Sequence, residues 1–246
     1  MSRNIAKDGA WHYNKAHDQY PVKTGESWTV GRHWFVCGDL QEENRLEEVI
    51  NHVDDHETDQ GIMYVDPPWD KRMAHAFRTK AGVEKKSVDL NDLFWAILEP
   101  ARKRRTIAFM EGGNGKRELV IDLIQAMGGV VGNVWEITYY KKKPCFILAA
   151  DFRDQPRNDF PDLTGLDDEQ TPKAVLDHYS VILGDTKKFV VDPCGGRGLT
   201  ARTAEQCGWT AITLELSPYR MAEAMSSVIK TIKKLTGETV EPERQF

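Results

Sequence analysis

Two consecutive prolines, Pro67-Pro68, follow directly on a short continuous stretch of apolar residues and glycine, Gly61-Ile62-Met63-Tyr64-Val65. Each proline fixes φ and removes a backbone donor, so a strand cannot continue through them and the chain must turn rigidly where the run ends. Asp66 stands before the prolines and Trp69 after them. The turn therefore gathers a carboxylate, carbonyl oxygens without ladder partners and an indole. That combination suits an amino group on an aromatic ring, gripped at its N–H bonds beside a flat apolar wall. A plain strand-ending Asp-Pro turn next to a core tryptophan explains the same four residues and competes with it.

Around this turn the chain alternates between two hydrophobic periods. Residues 33–37, 61–65, 106–110, 188–192 and 210–215 read as buried strands, and 40–52, 90–104, 117–127, 172–183, 199–207 and 217–235 as helices. Val130-Val131 and 134–140 read as paired strands. Such alternation predicts an α/β fold, a doubly wound and mostly parallel sheet with helices on both faces. Residues 1–30 read as an arm with little regular structure, 70–88 as a mobile loop and 151–170 as irregular. Trp95 and Trp135 fit apolar faces and are expected in the core. His33, His75 and His178 lack partners at metal spacing, and Asp70 is placed to cap a helix or face water.

At 246 residues the chain buries one large core. No apolar run approaches the roughly 20 residues that span a bilayer, and the first residues are polar rather than a signal-peptide core. Cys37, Cys145, Cys194 and Cys207 lie far apart, so reduced thiols and a cytoplasmic setting are expected. A net charge of −5 argues against nucleic-acid binding driven by global charge. Local basic clusters remain, Arg102–Arg105 and Lys141–Lys143; the second follows Tyr139-Tyr140, a pattern that fits a phosphate-contacting edge.

A second signature is the stretch Phe189-Val190-Val191-Asp192-Pro193-Cys194-Gly195-Gly196-Arg197-Gly198-Leu199-Thr200-Ala201. An apolar strand runs into glycines that let a ligand approach the backbone, then into a helix start with free N–H groups. Gly196-x-Gly198-x-x-Ala201 fits the dinucleotide fingerprint, and Glu215 ends the next strand roughly twenty positions on, where ribose hydroxyls would donate to it. NAD and S-adenosylmethionine share that geometry, so the loop alone names neither. The prolyl turn separates them. A dehydrogenase has no use for an amine-gripping pocket, whereas methyl transfer to an exocyclic amine does. That amine's lone pair is delocalised into its ring, so two acceptors at its N–H bonds must aim it at the sulfonium methyl, which is catalysis by positioning and electrostatics. A paired base cannot reach such a pocket and must be rotated out of the helix.

With both signatures placed, residues 31–235 resemble the beta-type (permuted) DNA amino-methyltransferases of bacteria and phages, which act on adenine N6 or cytosine N4; the proline turn comes first and the glycine loop last. The resemblance implies a Rossmann-like S-adenosylmethionine-dependent methyltransferase fold over 31–246, behind an arm of residues 1–30, with a short target-recognition insert at about 144–170. It implies that Asp66 orients the amine, the Pro67 carbonyl takes its second N–H, and Trp69 with Pro68 walls the base. It further implies that Asp39, Asp66, Lys173, Asp192, Cys194, Gly195, Gly196, Gly198 and Glu215 hold S-adenosylmethionine. Here Gly38-Asp39 is similar to the family's adenine-contacting acidic motif, Thr171-Pro172-Lys173 to its segment upstream of the glycine loop, and Trp135-Glu136 through Lys142 to the strand before its recognition region. Asp66 rather than Ser before Pro-Pro favours adenine N6. DNA is the expected partner, no metal is expected, and the short insert implies a degenerate target or a second subunit. The chain departs from the family at Cys194, where Phe is usual, and at Arg197 and Leu199, where a small hydroxyl residue and Thr are usual. Those departures define the alternative, a catalytically silent relative that binds DNA or a partner. Cys194 reads as a packing residue, because nothing beside it provides an oriented base.

Overall fold

The computed structural model describes residues 15–42, 61–83, 88–140 and 142–245. The described strands are β1 (Ser27–Val30), β2 (His33–Cys37), β3 (Gly61–Val65), β4 (Ile107–Gly112), β5 (Val130–Tyr139), β6 (Lys143–Asp151), β7 (Phe189–Asp192), β8 (Thr210–Glu215) and β9 (Glu243–Arg244). The helices are α1 (Lys15–Gln19), α2 (Lys71–Lys80), α3 (Leu90–Lys103), α4 (Arg117–Ala126), α5 (Thr171–Leu183), α6 (Leu199–Cys207) and α7 (Pro218–Thr236). All the described strands join one sheet in the order β5-β6-β4-β3-β7-β8-β2-β1-β9. The central five, β4 to β2, pair in parallel, and β6 and β1 run against them. Continuous apolar runs are what a parallel centre requires, since both faces are covered; β3 and β4 are buried at every position.

Alternation along the strands divides the core in two. Phe35, Ile62, Tyr64, Phe109 and Val190 pack with α5, α6 and α7 on one face. Val36, Met63, Val65, Met110 and Val191 pack with α3 and α4 on the other. No helix among the described residues is long and apolar enough to cross a membrane.

Several segments differ from the sequence reading. Ser27–Val30 pairs with β2, so the sheet extends past the boundary drawn at residue 31, and Lys15–Gln19 is helical. Neither short element carries the continuous apolar run that marks the buried strands. Residues 71–80 form a helix instead of a mobile loop. Asp70 caps it, its Oδ1 accepting from the Met73 N–H at 2.7 Å. Its most buried positions are Ala74 and Arg78, while Met73 packs against the core only in part. Val130-Val131 and 134–139 are one strand interrupted by a bulge, and the partner is β6, which occupies the first part of the expected insert. Residues 152–170 are irregular but tied down: Arg153 bridges Asp151 and Asp159, Leu163 is fully buried, and Thr138 pairs its backbone with Leu166 and Asp168. Trp135 is in the core, whereas Trp95 is 41% exposed, since the buried stripe of α3 runs through Leu90, Phe94, Ile97, Leu98 and Ala101. Of the expected helix at 40–52, residues 40–42 form a turn and the rest lies outside the described residues.

His33 is wholly buried on β2. Its Nδ1 accepts from the Ala211 N–H at 3.0 Å and its Nε2–H donates to Glu205 Oε2 at 2.8 Å, so both ring nitrogens are satisfied in one neutral tautomer. His33→Ala leaves a buried carboxylate and a strand N–H without this partner. It is expected to lower stability in urea unfolding by about 3 kcal/mol; a loss below about 1 kcal/mol would show the pair to be incidental.

Candidate active site

β3 and β7 are adjacent and parallel, with Met63 opposite Val191. Their carboxyl ends therefore leave the sheet side by side, and the crevice outside such ends is where α/β sheets bind ligands. The ends of β8 and β2 follow on one side and that of β4 on the other. Asp66, Asp192, Glu215, Asp39 and Glu111 are gathered there by topology alone.

The glycine loop is held by its own carboxylates. Asp192 Oδ1 accepts from the Cys194 N–H at 3.0 Å, and Glu215 accepts from the N–H groups of Gly196 and Ser217, each at 2.8 Å. Gly195 donates to the Leu214 carbonyl at 2.9 Å. Gly196 and Gly198 sit at φ +54° and +77°, a region that favours glycine, and a Cβ on Gly198 would lie 2.8 Å from Ala224 Cβ of α7. Gly198 thus lets α6 start against α7. Glu215 has used two of its roughly four acceptor positions and keeps the others.

At the proline turn the Trp69 Nε1–H donates to Asp66 Oδ1 at 3.1 Å. Trp69 is only 6% exposed: the Tyr139 ring meets it edge-on at 4.9 Å, and Lys143 Nζ lies 4.8 Å from its centroid. The indole is largely packed and orients Asp66, and what it leaves open lines the cleft beside it. The free aromatic surface nearby belongs to Tyr140, which is exposed beside Tyr139.

Two cavities meet here. A cleft of about 330 Å³ is lined by Pro67, Trp69, Tyr139, Asp192 and Gly196 among others. A second is lined by Asp39, Pro68, Arg78, Pro193 and Glu215. Asp66, Phe77, Cys194 and Arg220 line both. Asp39 is in the second cavity but pairs with Arg78 at 2.6 Å and accepts from the Gln41 N–H. Lys173 lines neither cavity: α5 buries Thr171 and Pro172 and turns Lys173 outward onto Asp177. Its expected contact with the cofactor therefore lacks geometric support. Arg197, at the glycine loop, pairs with Glu223 at 2.8 Å.

The sequence reading missed Glu111, Asp168 and Arg220. Glu111 lies beyond the expected end of its strand, which runs on to Gly112. Asp168 comes from the irregular segment, where its Oδ1 accepts from the Tyr140 N–H at 3.0 Å. Arg220 follows the Ser217 cap of α7 and lies 4.9 Å from the Phe77 ring centroid. A lone arginine in a helix's first turn carries no sequence signal of a site.

Asp66, Glu111, Asp168 and Asp192 face one cleft. Burial, reinforced by repulsion from Asp168, lifts Asp66 to about 6 against the opposing pull of Trp69 and Arg220. Burial lifts Asp192 to about 7 despite hydrogen bonds from Thr200 and Cys194, with Asp66 and Glu215 adding to the rise. Burial and then Asp192 also push the Cys194 thiol well up, which keeps it a thiol that packs against the apolar cluster containing Val36. A cleft with these carboxylates favours a cationic ligand.

No protein-family model and no curated relative matches this sequence. Solved structures do. PvuII DNA methyltransferase (cytosine-N4-specific) superposes with a TM-score of 0.57 at 14% identity, covering 88% of this chain and 98% of that one. TTHA0409, a candidate DNA modification methylase of Thermus thermophilus, gives 0.55 at 15% identity, over 84% and 97%. The M1.HpyAVI–SAM complex gives 0.50 at 13% identity, over 74% and 95%. At such identities the likeness is one of fold: the chain has the Rossmann-like α/β fold of S-adenosylmethionine-dependent methyltransferases.

A carboxyl whose folded pKa is raised stabilises below its unfolded value and loses that stability as pH rises through the folded one. For Asp192 the loss runs from about pH 4 to 7. Asp192→Asn is therefore expected to gain on the wild type by about 2–3 kcal/mol between pH 5 and 7.5. Ligand-free urea unfolding at the two pH values measures this, and a constant difference would refute it.

Proposed function

We propose that the chain is an S-adenosylmethionine-dependent DNA methyltransferase that modifies the exocyclic N6 amine of adenine in a base turned out of the duplex. One observation carries the reading: Asp66 lies at the junction of the two cavities, where an amine on one side would meet a methyl donor on the other. The order of the two signatures along the chain, proline turn before glycine loop, supports the beta-type, permuted assignment. The names of two superposable proteins, a DNA methyltransferase and a candidate DNA modification methylase, support DNA as substrate, and the complex of a third with SAM supports the cofactor.

The residues present fit the cofactor. S-adenosylmethionine supplies a methyl group on a cationic sulfur, and the acidic cleft favours that charge before transfer and releases it afterwards. The remaining acceptor positions of Glu215 would take ribose hydroxyls, and the backbone at Gly195-Gly196 admits close approach. Asp39 lines the same cavity as Glu215 and would face the nucleoside base. A cationic sulfur beside Asp192 and Asp66 would favour their ionised forms.

Asp66 then works through the oxygen that Trp69 does not hold. That oxygen and the Pro67 carbonyl accept the amine's two N–H bonds and turn its lone pair toward the methyl carbon. S-adenosylmethionine would supply the methyl carbon to that lone pair and keep the S–C electron pair on sulfur, and Asp66 is placed to take the N–H proton that the amine would lose. Tyr139 and Tyr140 provide aromatic surface for the base, and Lys143 lies beside them for a backbone phosphate. Asp66, where the alternative is Ser, favours adenine N6 over cytosine N4. The packed segment 152–170 offers little recognition surface, so a short target or a second subunit completes the DNA site, in the cytoplasm of a bacterium or phage-infected cell.

Asp66→Ala is expected to lower methyl transfer at least a hundredfold, roughly the loss from removing one aligned transition-state group. Calorimetry should meanwhile still show S-adenosylmethionine binding, weakened by about tenfold at most, since the glycine loop and Glu215 are untouched. An active Asp66→Ala chain would refute the assigned role. Expression in a methylation-free host followed by sequencing for modified bases should show N6-methyladenine. N4-methylcytosine would move the target to cytosine, and no modification with no cofactor binding would favour a silent subunit.

A further inference from the structure

Glu111 is a strongly buried carboxyl at the cleft that this mechanism leaves unused. It is 1% exposed on β4, adjacent to the strand that carries Asp66, and it lines the same cleft as Asp66 and Pro67. Its Oε1 accepts from the Tyr64 hydroxyl, while Oε2 is buried and has no partner among the described residues. An orphaned polar atom in such a place carries a desolvation cost that a ligand group would relieve.

We infer that Glu111 reads the ring nitrogen beside the reacting amine, donating to it from Oε2–H; this rests on the amine-methyltransferase reading above. The ligand chemistry is an amidine edge: an exocyclic amine next to an unprotonated ring nitrogen, N6 and N1 in adenine or N4 and N3 in cytosine. Asp66 and the Pro67 carbonyl take the amine's donors. The neighbouring ring nitrogen is an acceptor, and an ionised carboxylate facing it would repel its lone pair. A carboxylic acid instead supplies a donor.

The surroundings keep the acid form. Tyr64 and Asp66 face Glu111 from β3, Cys145 from β6, Asp192 from β7 and Asp168 from the segment before α5. None of these is a cation. Burial first, then repulsion from Asp66, holds the carboxyl well above the ordinary range. With Tyr64 O–H donating to Oε1, that oxygen is the carbonyl and the proton sits on Oε2. Guanine and thymine present N–H at the corresponding ring position and would meet this donor with a donor, so the contact is one of specificity and positioning.

The test compares kcat/KM on duplex DNA carrying adenine with the same duplex carrying 1-deazaadenine, in which C–H replaces N1. The wild type should lose roughly tenfold to a hundredfold on the analogue, as for one lost hydrogen bond with a buried partner. Glu111→Ala should lose a similar factor on adenine and no further factor on 1-deazaadenine. Glu111→Gln, whose carbonyl can keep the Tyr64 bond while its N–H donates, should restore most of the activity and retain the discrimination. S-adenosylmethionine affinity by calorimetry should stay within about threefold throughout, which a collapsed site would not allow. Wild-type indifference to 1-deazaadenine overturns the inference, as does full discrimination by Glu111→Ala. If Glu111→Ala fails to fold, Glu111→Gln without discrimination overturns it as well. If the modified base is cytosine, 3-deazacytosine replaces the analogue with the same outcomes. A wild-type chain that methylates no nucleic acid overturns the parent reading, and this one with it, before any variant is made.

Discussion

The parallel pairing of β3 with β7 is the constraint on which the rest of the site depends. Gly61 to Met63 lie opposite Phe189 to Val191, so the two strands end at the same level. A proline turn on one and a glycine loop on the other then face across a single crevice. Neither loop encloses a ligand alone. Their strands are over a hundred residues apart in the chain, so the site exists only after long-range pairing has formed, which topology makes slow but specific.

Charge is the second organising factor. The sheet's central strands deliver carboxylates to one end, and burial there favours their neutral forms. Holding Asp66, Glu111, Asp168 and Asp192 together opposes stability in the absence of a ligand. The strain is local and lies where a cationic ligand would relieve it, as expected of sites where function overrides packing. Backbone donors partly offset it: Cys194 N–H supports Asp192, and Gly196 and Ser217 N–H groups support Glu215.

The same groups that face the cleft also hold one another. Trp69 orients Asp66 and is itself pinned by Tyr139 and Lys143, so the hairpin of β5 and β6 reaches the proline turn through side chains. The irregular segment joins in through Asp168 and Tyr140. A carboxylate fixed in this way would lose little freedom on meeting a ligand, which is the physical content of preorganisation.

How much of this was legible in the chain follows from the range of each signal. Period and punctuation are local, so the buried strands 61–65, 189–192 and 210–215, the proline stop and the glycine turns could be read from neighbouring residues. Those sufficed for the α/β alternation and for Asp66, the glycines and Glu215 as site candidates. Helix 71–80 was hidden because its most buried positions are an alanine and an arginine, and β1 because Ser27 and Thr29 interrupt its apolar residues. The tertiary structure alone decided the rest: that Trp69 donates to Asp66, that Arg78 meets Asp39, that Lys173 points away, and that Glu111 is buried with a free oxygen. Each of these is a contact between segments or a packing direction set by strand register, and no local pattern encodes it.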